Sequence, residues 1–310
     1  MTLLYYDLIF QEHITGAHPE NPARLTAVMQ NLHFVGLDSL CTRKGWEAAS
    51  VEQLAYVHDA DYIASIERLA TAGGGRIESD TVLSPRSYEV ARSGVGAACD
   101  AVTQVLTTQE KHAFCALRPP GHHALVAQAM GFCLFNNVAV AARAAQREHQ
   151  LDRVLIVDFD VHHGNGTQDI FWEDESVAFF SMHRFPFYPG SGAADETGSG
   201  AGLGATWNLP IAMGTARKAQ LEQFQRDLEL FAARIKPQLV LLSAGFDSHK
   251  LDPVGSLGLE SEDFRDLTKS VLQVAQTHCD GRLVSLLEGG YHPQALADSV
   301  ELHLQELEDN

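Results

Sequence analysis

The sequence predicts an α/β protein in which a mostly parallel central sheet is covered by helices on both faces. Runs such as VLIVDFD, LVLLSAG and LVSLLEGG are apolar almost throughout, as strands buried on both faces of a sheet are. Stretches with helical spacing of apolar residues separate these runs, and an alternation of strands and helices is typical of parallel sheets. Since no internal repeat is found, we predict a single three-layer α/β/α domain over residues 1–310.

Seven strands and seven helices are predicted along the chain. The predicted strands are Leu3–Ile9, Ala113–Leu117, Arg153–Phe159, Val177–Met182, Thr206–Pro210, Leu239–Ala244 and Leu283–Leu287. The predicted helices are Asn21–Leu32, Asp59–Ala72, Ser87–Leu106, Phe135–His149, Arg217–Arg234, Glu262–Thr277 and Pro293–Leu307. The glycine-rich stretch Gly190–Ala205 fits either a linker or a surface loop beside a site, and its place between HRFPFYPG and a strand favours one domain.

Charge and composition exclude several classes of function. The chain has 22 Lys and Arg against 40 Asp and Glu, a net charge of −18, which argues against non-specific binding of nucleic acid. No apolar run approaches the roughly 20 residues that cross a bilayer, and the N-terminus MTLLYYDLIFQEH lacks the basic start of a signal peptide. The 5 cysteines form no CxxC pair and are expected to be buried thiols. We predict a cytoplasmic protein.

Unusual polar residues follow four predicted strands at their carboxyl ends. They stand in the runs RPPGHH (118–123), DFDVHH (158–163), GFD (245–247) and EGGY (288–291). Ligands of open parallel sheets bind at this edge, because the carboxyl ends of neighbouring strands meet there. The four runs therefore predict one shared site.

The run DFDVHH points to a metal ion. Asp158, Asp160 and His162 alternate along an extended chain, so that their side chains share one face. Oxygen and nitrogen ligands suit Zn²⁺, with Fe²⁺, Co²⁺ or Mn²⁺ as alternatives, although a strand end capped by backbone donors would explain this run alone. Asp247 ends a second buried strand in the same way. Three protein ligands leave room for water and substrate, as in catalytic zinc sites.

Hydrolysis also needs groups that move protons. His122 and His123 follow a stiff Arg-Pro-Pro-Gly turn, and an imidazole pair there is suited to acid–base catalysis. Asp158 and Asn165 are available to orient the two rings. Tyr291 follows two glycines that allow close approach of the backbone, and its phenol is a candidate donor to a developing oxyanion.

Taken in order, these motifs resemble those of the zinc-dependent histone deacetylase superfamily, most closely its class II branch and the bacterial deacetylase-like amidohydrolases. The resemblance covers nearly the whole chain, through HPENPARL (18–25), RPPGHHA, GFCLFNN (131–137), DFDVHHGNGTQ (158–168), HRFPFYPGSG (183–192), SAGFDSHKLDP (243–253) and EGGY. It implies a domain with the three-layer fold of arginase. It also implies zinc-dependent removal of acetyl or other acyl groups from lysine side chains.

The resemblance implies roles for the matching positions. The implied zinc ligands are Asp160, His162 and Asp247, and the implied catalytic residues are His122, His123 and Tyr291, supported by Asp158 and Asn165. The implied K⁺ site comprises Asp158, Asp160, His162, Ser181 and Met182, with a second one near Phe171, Asp174 and Val177. The implied substrate-binding residues are Asp80, Gly131, Phe132, Tyr188, Val254, Gly289 and Gly290, with Arg24 near the inner end of the pocket.

Three of these positions refine the expected activity. Asn165 stands where class I members have Asp, and Tyr291 stands where members with weak acetyl-lysine activity have His. Val254 occupies the position at which the polyamine-selective member carries a glutamate, and valine does not attract a distal ammonium group. Acyl-lysine, acetylated polyamines and other small amides all stay open as substrates, as do acyl length, the native metal and the oligomeric state.

Two further functions compete with deacetylation. Arginase-type ureohydrolases carry a DxHxD motif and bind two Mn²⁺ ions, whereas this chain has Gly164 where another bridging Asp is needed. One metal ion is therefore favoured. A catalytically silent module that only binds acylated lysine is the other alternative, and the complete set of histidines, ligands and tyrosine argues against it.

Overall fold

The computed structural model describes all residues from 1 to 310 and is organised around one eight-stranded sheet. The order of strands is β2-β1-β5-β10-β9-β6-β7-β8, and every neighbouring pair is parallel. Its strands are β1 Leu3–Tyr5, β2 Thr42–Arg43, β5 His112–Cys115, β6 Val154–Asp158, β7 Val177–Arg184, β8 Thr206–Ile211, β9 Leu239–Ala244 and β10 Leu283–Leu287. A separate antiparallel hairpin consists of β3 Gly75–Arg76 and β4 Val82–Leu83.

Helices cover the sheet in two groups. They are α1 Ala23–Phe34, α2 Val51–Leu54, α3 Ala60–Thr71, α4 Ser87–Thr107, α5 Asn137–His149, α6 Asn165–Ile170, α7 Arg217–Ile235, α8 Ser261–His278 and α9 Pro293–Glu308. Helices α1, α9, α8 and α7 pack side by side in that order, while α4 and α5 pack against each other. The predicted α/β class with a parallel central sheet is confirmed.

The predicted elements all occur. One strand was predicted too long, the other bounds agree to within two residues, and several short elements were not predicted. The strand predicted over Leu3–Ile9 ends at Tyr5, and Leu8–Gln11 forms a 3₁₀ helix instead. The reason is local, because the Asp7 carboxylate accepts a hydrogen bond from the backbone of Ile9 at 2.8 Å and caps this turn. The short strands β2, β3 and β4 and the short helices α2 and α6 were not predicted, since so few residues show no hydrophobic period.

The sheet register explains why distant motifs meet. Asp158, the last residue of β6, pairs with Ser181 of β7 on one side and with Ser243 of β9 on the other. Leu287, the last residue of β10, pairs with Ala244, the last of β9. The central strands therefore end at the same level, and the polar runs that follow them lie side by side.

A buried ionic cluster holds the loops at this edge. Glu20 is fully buried, and its carboxylate binds the guanidinium of Arg118 through two hydrogen bonds, with the Nη2–Oε2 pair at 2.7 Å. Nη1 of Arg24 lies 3.1 Å from Oε1 of the same carboxylate. Nη1 of Arg118 also donates to the carbonyl of Phe10 at 2.8 Å. The cluster thus joins the start of α1 to the loop that follows β5.

Two smaller findings concern the cysteines and the helices. All 5 cysteines are buried free thiols, as predicted. No helix is both long enough and apolar enough to span a bilayer.

We expect Glu20→Gln to lower the free energy of unfolding by about 3–5 kcal/mol, because it leaves a buried guanidinium without its counter-charge. Although burial opposes ionisation, Arg118 and Arg24 hold the pKa of Glu20 down at about 2, below its ordinary value of 4.5. The contribution of the carboxylate is thus complete above pH 4.5 and is lost as the pH falls from there towards 2. Urea unfolding measured at several pH values checks both statements.

A matched control is Glu89→Gln. Glu89 is exposed and pairs with the equally exposed Arg86 at 2.7 Å. Surface pairs of this kind contribute about 0–1 kcal/mol, so this variant should unfold almost like the wild type. Equal destabilisation by the two substitutions, or a Glu20→Gln deficit that persists unchanged at pH 2, would contradict the role of the buried cluster.

Candidate active site

The three residues predicted as metal ligands form one buried group. Asp160 and His162 follow β6, Asp247 follows the adjacent β9, and their ligand atoms all lie within 4.8 Å of one another. Nδ1 of His162 is 3.0 Å from Oδ1 of Asp160 and 3.1 Å from Oδ2 of Asp247. No other group of three such residues in the structure meets the same distance requirement.

The donor set fits one divalent cation. Oδ2 of Asp247 is buried and accepts no hydrogen bond, which is costly for a carboxylate oxygen unless a cation binds it. The strand ends approach the ligands closely, because a Cβ atom at Gly289 would lie 2.2 Å from this oxygen and one at Gly245 would lie 2.0 Å from Oδ2 of Asp160. Two carboxylates and one imidazole are a ligand set that zinc accepts.

The paired histidines have different partners. His122 Nδ1 lies 2.8 Å from Oδ2 of Asp158, a fully buried carboxylate. Burial alone would lower the pKa of His122, but Asp158 and Asp160 outweigh it and raise that pKa well above the ordinary value. The structure therefore surrounds His122 with groups that favour the imidazolium form.

His123 has a neutral partner. Its Nδ1 lies 2.7 Å from Oδ1 of Asn165, whose amide nitrogen points to the sulfur of Met130. Because an amide oxygen only accepts, Nδ1 of His123 carries the proton and Nε2 keeps its lone pair. Burial, together with the neighbouring His122 and His162, lowers the pKa of His123 well below the ordinary value. The two rings, whose centres lie 4.1 Å apart with their planes tilted by 45°, are thus set up for opposite protonation states.

Tyr291 lines the same pocket as His123 and His162 and is buried. Its ring packs under the guanidinium of Arg24, 4.7 Å from the ring centre, and at right angles to Phe132 at 5.6 Å. Burial raises the pKa of Tyr291 well above 10. The phenol therefore keeps its proton and serves as a hydrogen-bond donor.

A channel of about 220 Å³ leads to these groups. It is lined by Asp80, His123, Gly131, Phe132, His162, Phe187, Tyr188, Val254 and Tyr291. His123, His162 and Tyr291 are buried, whereas Tyr188 is 37% exposed, so that the channel runs inward from Tyr188 to the ligand group. Five of the predicted substrate-binding residues lie in its wall. Gly289 and Gly290 do not line it. Gly289 lies against the carboxylates of Asp247 and Asp160, and Gly290 lies against Leu296 and Phe246.

Sequence reasoning placed Glu288 in the run EGGY at the shared site but gave it no role, and it gave none to Phe187. The carboxylate of Glu288 accepts hydrogen bonds from the backbone of Gly121 at 2.6 Å and of His122 at 3.2 Å. Burial raises the pKa of Glu288 to about 7. The ring of Phe187 stacks on His162 at 5.3 Å. Glu288 had a signal in the sequence, since it directly follows a buried strand at the same edge as the other runs.

The residues predicted for potassium lie at two places. Ser181 pairs with Asp158 across β7 and β6, so the first predicted site lies at the strand ends beside the ligands. At the second, Nη1 of Arg143 is 2.6 Å from Oδ2 of Asp174, and its guanidinium is 4.7 Å from the ring centre of Phe171. An arginine cation is therefore already present beside the second predicted site. Both K⁺ sites stay predictions.

Comparison with known proteins places this geometry in one family. Residues 18–307 match the model of the histone deacetylase domain. A histone deacetylase-like amidohydrolase of Pseudomonas aeruginosa is 38% identical over 284 residues, which are 91% of this chain and 74% of that protein. Human polyamine deacetylase HDAC10 is 40% identical over 302 residues, 93% of this chain but 44% of that protein.

The structural comparison agrees. The crystal structure of the HDA15 HD domain superposes with a TM-score of 0.94 at 35% sequence identity, covering 100% of this chain and 88% of that one. A relative in Arabidopsis thaliana, histone deacetylase 14, is described as chloroplastic and is 37% identical over 305 residues, 93% of this chain and 72% of that protein. The chain belongs to the histone deacetylase family of hydrolases that act on amide bonds.

Proposed function

We propose that this protein removes acetyl or other acyl groups from lysine side chains in a zinc-dependent hydrolysis. One observation carries the proposal. A single channel with aromatic walls ends at the group of Asp160, His162 and Asp247, where two histidines and a protonated tyrosine also converge. Bound to the three ligands, zinc would polarise the amide carbonyl and lower the pKa of a water molecule.

The two histidines have different roles in the proposed reaction. His123 presents the free lone pair of Nε2, because Nδ1–H is held by Asn165, and it takes the proton of the attacking water. His122 is held as an imidazolium by the Asp158 carboxylate, and it stabilises the negative charge that develops. The water oxygen bonds to the carbonyl carbon, the C–N bond breaks, and the proton is passed to the amine nitrogen. A carboxylate and a free lysine side chain are the products.

Tyr291 acts on the carbonyl oxygen. Its phenol remains protonated at neutral pH because the ring is buried, so it donates a hydrogen bond to the oxygen as negative charge develops there. The cation of Arg24 over its ring holds the side chain in place. This hydrogen bond strengthens towards the transition state and therefore raises turnover rather than substrate affinity.

The channel favours a long alkyl chain. Phe132, Phe187 and Tyr188 provide aromatic surfaces that suit the methylene groups of a lysine, and Asp80 supplies a carboxylate acceptor for substrate N–H groups. The lining contains no lysine or arginine. Acetylated polyamines are the second candidate, because a relative is named a polyamine deacetylase, but Val254 offers no charge for a distal ammonium.

The geometry disfavours a dinuclear ureohydrolase. A Cβ atom at Gly164 would lie 2.3 Å from Oδ2 of Asp158, so a second bridging aspartate has no room there. We therefore propose one zinc ion per chain, with Fe²⁺ or Co²⁺ as substitutes, and K⁺ at the neighbouring strand ends. The cytoplasmic location stays a prediction.

The substrate proposal is tested with zinc-loaded protein and a panel of acetyl-, propionyl- and longer acyl-lysine peptides, acetylputrescine and acetylspermidine. We expect kcat/KM for the acetyl-lysine peptide to exceed that for the acetylpolyamines by at least tenfold, a difference of about 1.4 kcal/mol. The reverse preference would identify an acetylpolyamine amidohydrolase. Release of no acyl product from any member would favour a silent binding module.

Titration with Zn²⁺ should show one tight site per chain and a raised melting temperature. Saturation at 100-fold over Kd stabilises the folded state by about 2.7 kcal/mol. Asp247→Asn removes a ligand and should abolish both effects. Asp263→Asn is the matched control, because Asp263 is also buried but caps α8 away from the ligands. Two tight Mn²⁺ ions together with release of urea would contradict the single-metal site.

Tyr291→Phe should lower kcat by about 10²–10³, the usual loss when one oxyanion donor is removed, with KM and zinc content close to wild type. Tyr62→Phe provides the control, since Tyr62 is as buried as Tyr291 and its hydroxyl also hydrogen-bonds, to the carbonyl of Leu134 at 2.5 Å. Steady-state kinetics and metal analysis of both variants decide the matter. Wild-type turnover in Tyr291→Phe would refute the role of the phenol.

A further inference from the structure

The segment Gly289–Tyr291 carries the proposed oxyanion donor on a backbone that has little to stiffen it. Neither glycine has a side chain to pack, and Gly290 has a φ of 118°, which side-chain-bearing residues rarely adopt. Apart from one backbone hydrogen bond, in which Phe246 donates to the carbonyl of Gly289 at 3.1 Å, side chains from elsewhere hold the segment. Asp160 Oδ2 accepts from the backbone of Gly289 at 2.8 Å, and Nε of Arg24 donates to the carbonyl of Gly290 at 2.6 Å.

A third side chain that contacts the segment Gly289–Tyr291 is that of Asp252. Its Oδ2 atom accepts a hydrogen bond from the backbone N–H of Tyr291 at 2.6 Å. Asp252 is only 8% exposed, and it belongs neither to the ligand group nor to the channel wall. A buried carboxylate needs donors around it, and here backbone N–H groups provide them.

The other oxygen of Asp252 binds the loop that follows Asp247. Oδ1 accepts from the backbone of Val254 at 2.9 Å and of Gly255 at 3.0 Å. This loop contacts Asp247 directly, because the backbone N–H of Ser256 donates to the carbonyl of Asp247 at 2.7 Å. A Cβ atom at Gly255 would lie 2.6 Å from that same carbonyl. One carboxylate therefore connects the Asp247 loop to the backbone of Tyr291.

We infer that Asp252 is a positioning residue, whose two oxygens fix the place of the Tyr291 phenol relative to the Asp160–His162–Asp247 group. The inference rests on the proposed function, in which the tyrosine and the ligands act on the same carbonyl. Misplacing a catalytic group by about 1 Å can cost about 100-fold in rate. Three backbone donors on two oxygens demand a carboxylate, because an amide offers only one acceptor atom.

Asp252→Asn places an NH₂ group against at least one of these backbone N–H groups. We expect kcat on an acetyl-lysine peptide to fall by about 10- to 100-fold, with KM changed less than about twofold and with zinc content unchanged. In a Tyr291→Phe background the same substitution should cost less than about twofold, because the group that Asp252 positions is already absent. Equal losses in the two backgrounds, or loss of zinc, would overturn the inference.

A second measurement does not depend on activity. In metal-free protein, the backbone amide of Tyr291 should exchange hydrogen at least about tenfold faster in Asp252→Asn than in wild type, while the amide of Gly289 stays unchanged. Unchanged protection of Tyr291 would overturn the inference even if activity fell. If the wild type hydrolyses no acyl amide, the proposed function fails, and the exchange experiment still decides whether Asp252 holds this backbone.

Two variants complete the design. Asp263→Asn, which loses a similarly buried carboxylate that accepts from the backbone of Glu260 at 2.7 Å, should show wild-type kinetics and wild-type exchange at Tyr291. Asp252→Glu keeps the charge and both acceptor atoms but displaces them by one methylene, which covers the case in which Asp252→Asn does not fold. We expect a loss of kcat without a loss of zinc in Asp252→Glu, and wild-type kcat there would overturn the inference.

Discussion

The ion pair between Glu20 and Arg118 is the interaction on which the active-site edge depends. Arg118 begins the loop that carries His122 and His123, and Glu20 stands four residues before Arg24. Arg24 in turn donates to the carbonyls of Glu288 and Gly290. Buried charges are stable only when they are paired and hydrogen-bonded. The cluster therefore allows few alternative arrangements of the segment before α1, the loop after β5 and the loop after β10. The restriction limits the positions that His122, His123 and Tyr291 can take.

The edge that these loops form carries an excess of negative charge. Asp158, Asp160, Asp247 and Glu288 are all fully or almost fully buried. Arg24 and Arg118 both pair with Glu20, and His122 pairs with Asp158, whereas no arginine or lysine pairs with Asp160 or Asp247, the proposed metal ligands. The same excess gives His122 and His123 opposite pKa shifts, because of these two only His122 faces a carboxylate through Nδ1. The proposed metal binding and the proposed proton transfer would therefore both follow from one charge distribution.

The sequence predicted those parts of the site that depend on short-range spacing or on strand ends. Asp160 and His162 alternate within one extended segment, and Asp247 and Tyr291 each follow a recognisable buried strand. Sequence reasoning assigned no role to residues that act through contacts with distant backbone. Glu288 binds the N–H groups of the loop after β5, a contact that depends on the order of strands in the sheet rather than on any local pattern.

Asp252 shows the same limit within a loop. Its carboxylate contacts backbone groups 2, 3 and 39 residues away, and only the folded path of the loop brings them together. Loop paths of this kind are set by interactions such as the approach of Gly255 to Asp247, which no hydrophobic period encodes. The division is physical. Side chains suited to binding metal or moving protons can be recognised in a sequence by their chemical type. The carboxylates that hold them in place cannot be distinguished from other acidic residues until the backbone around them is known.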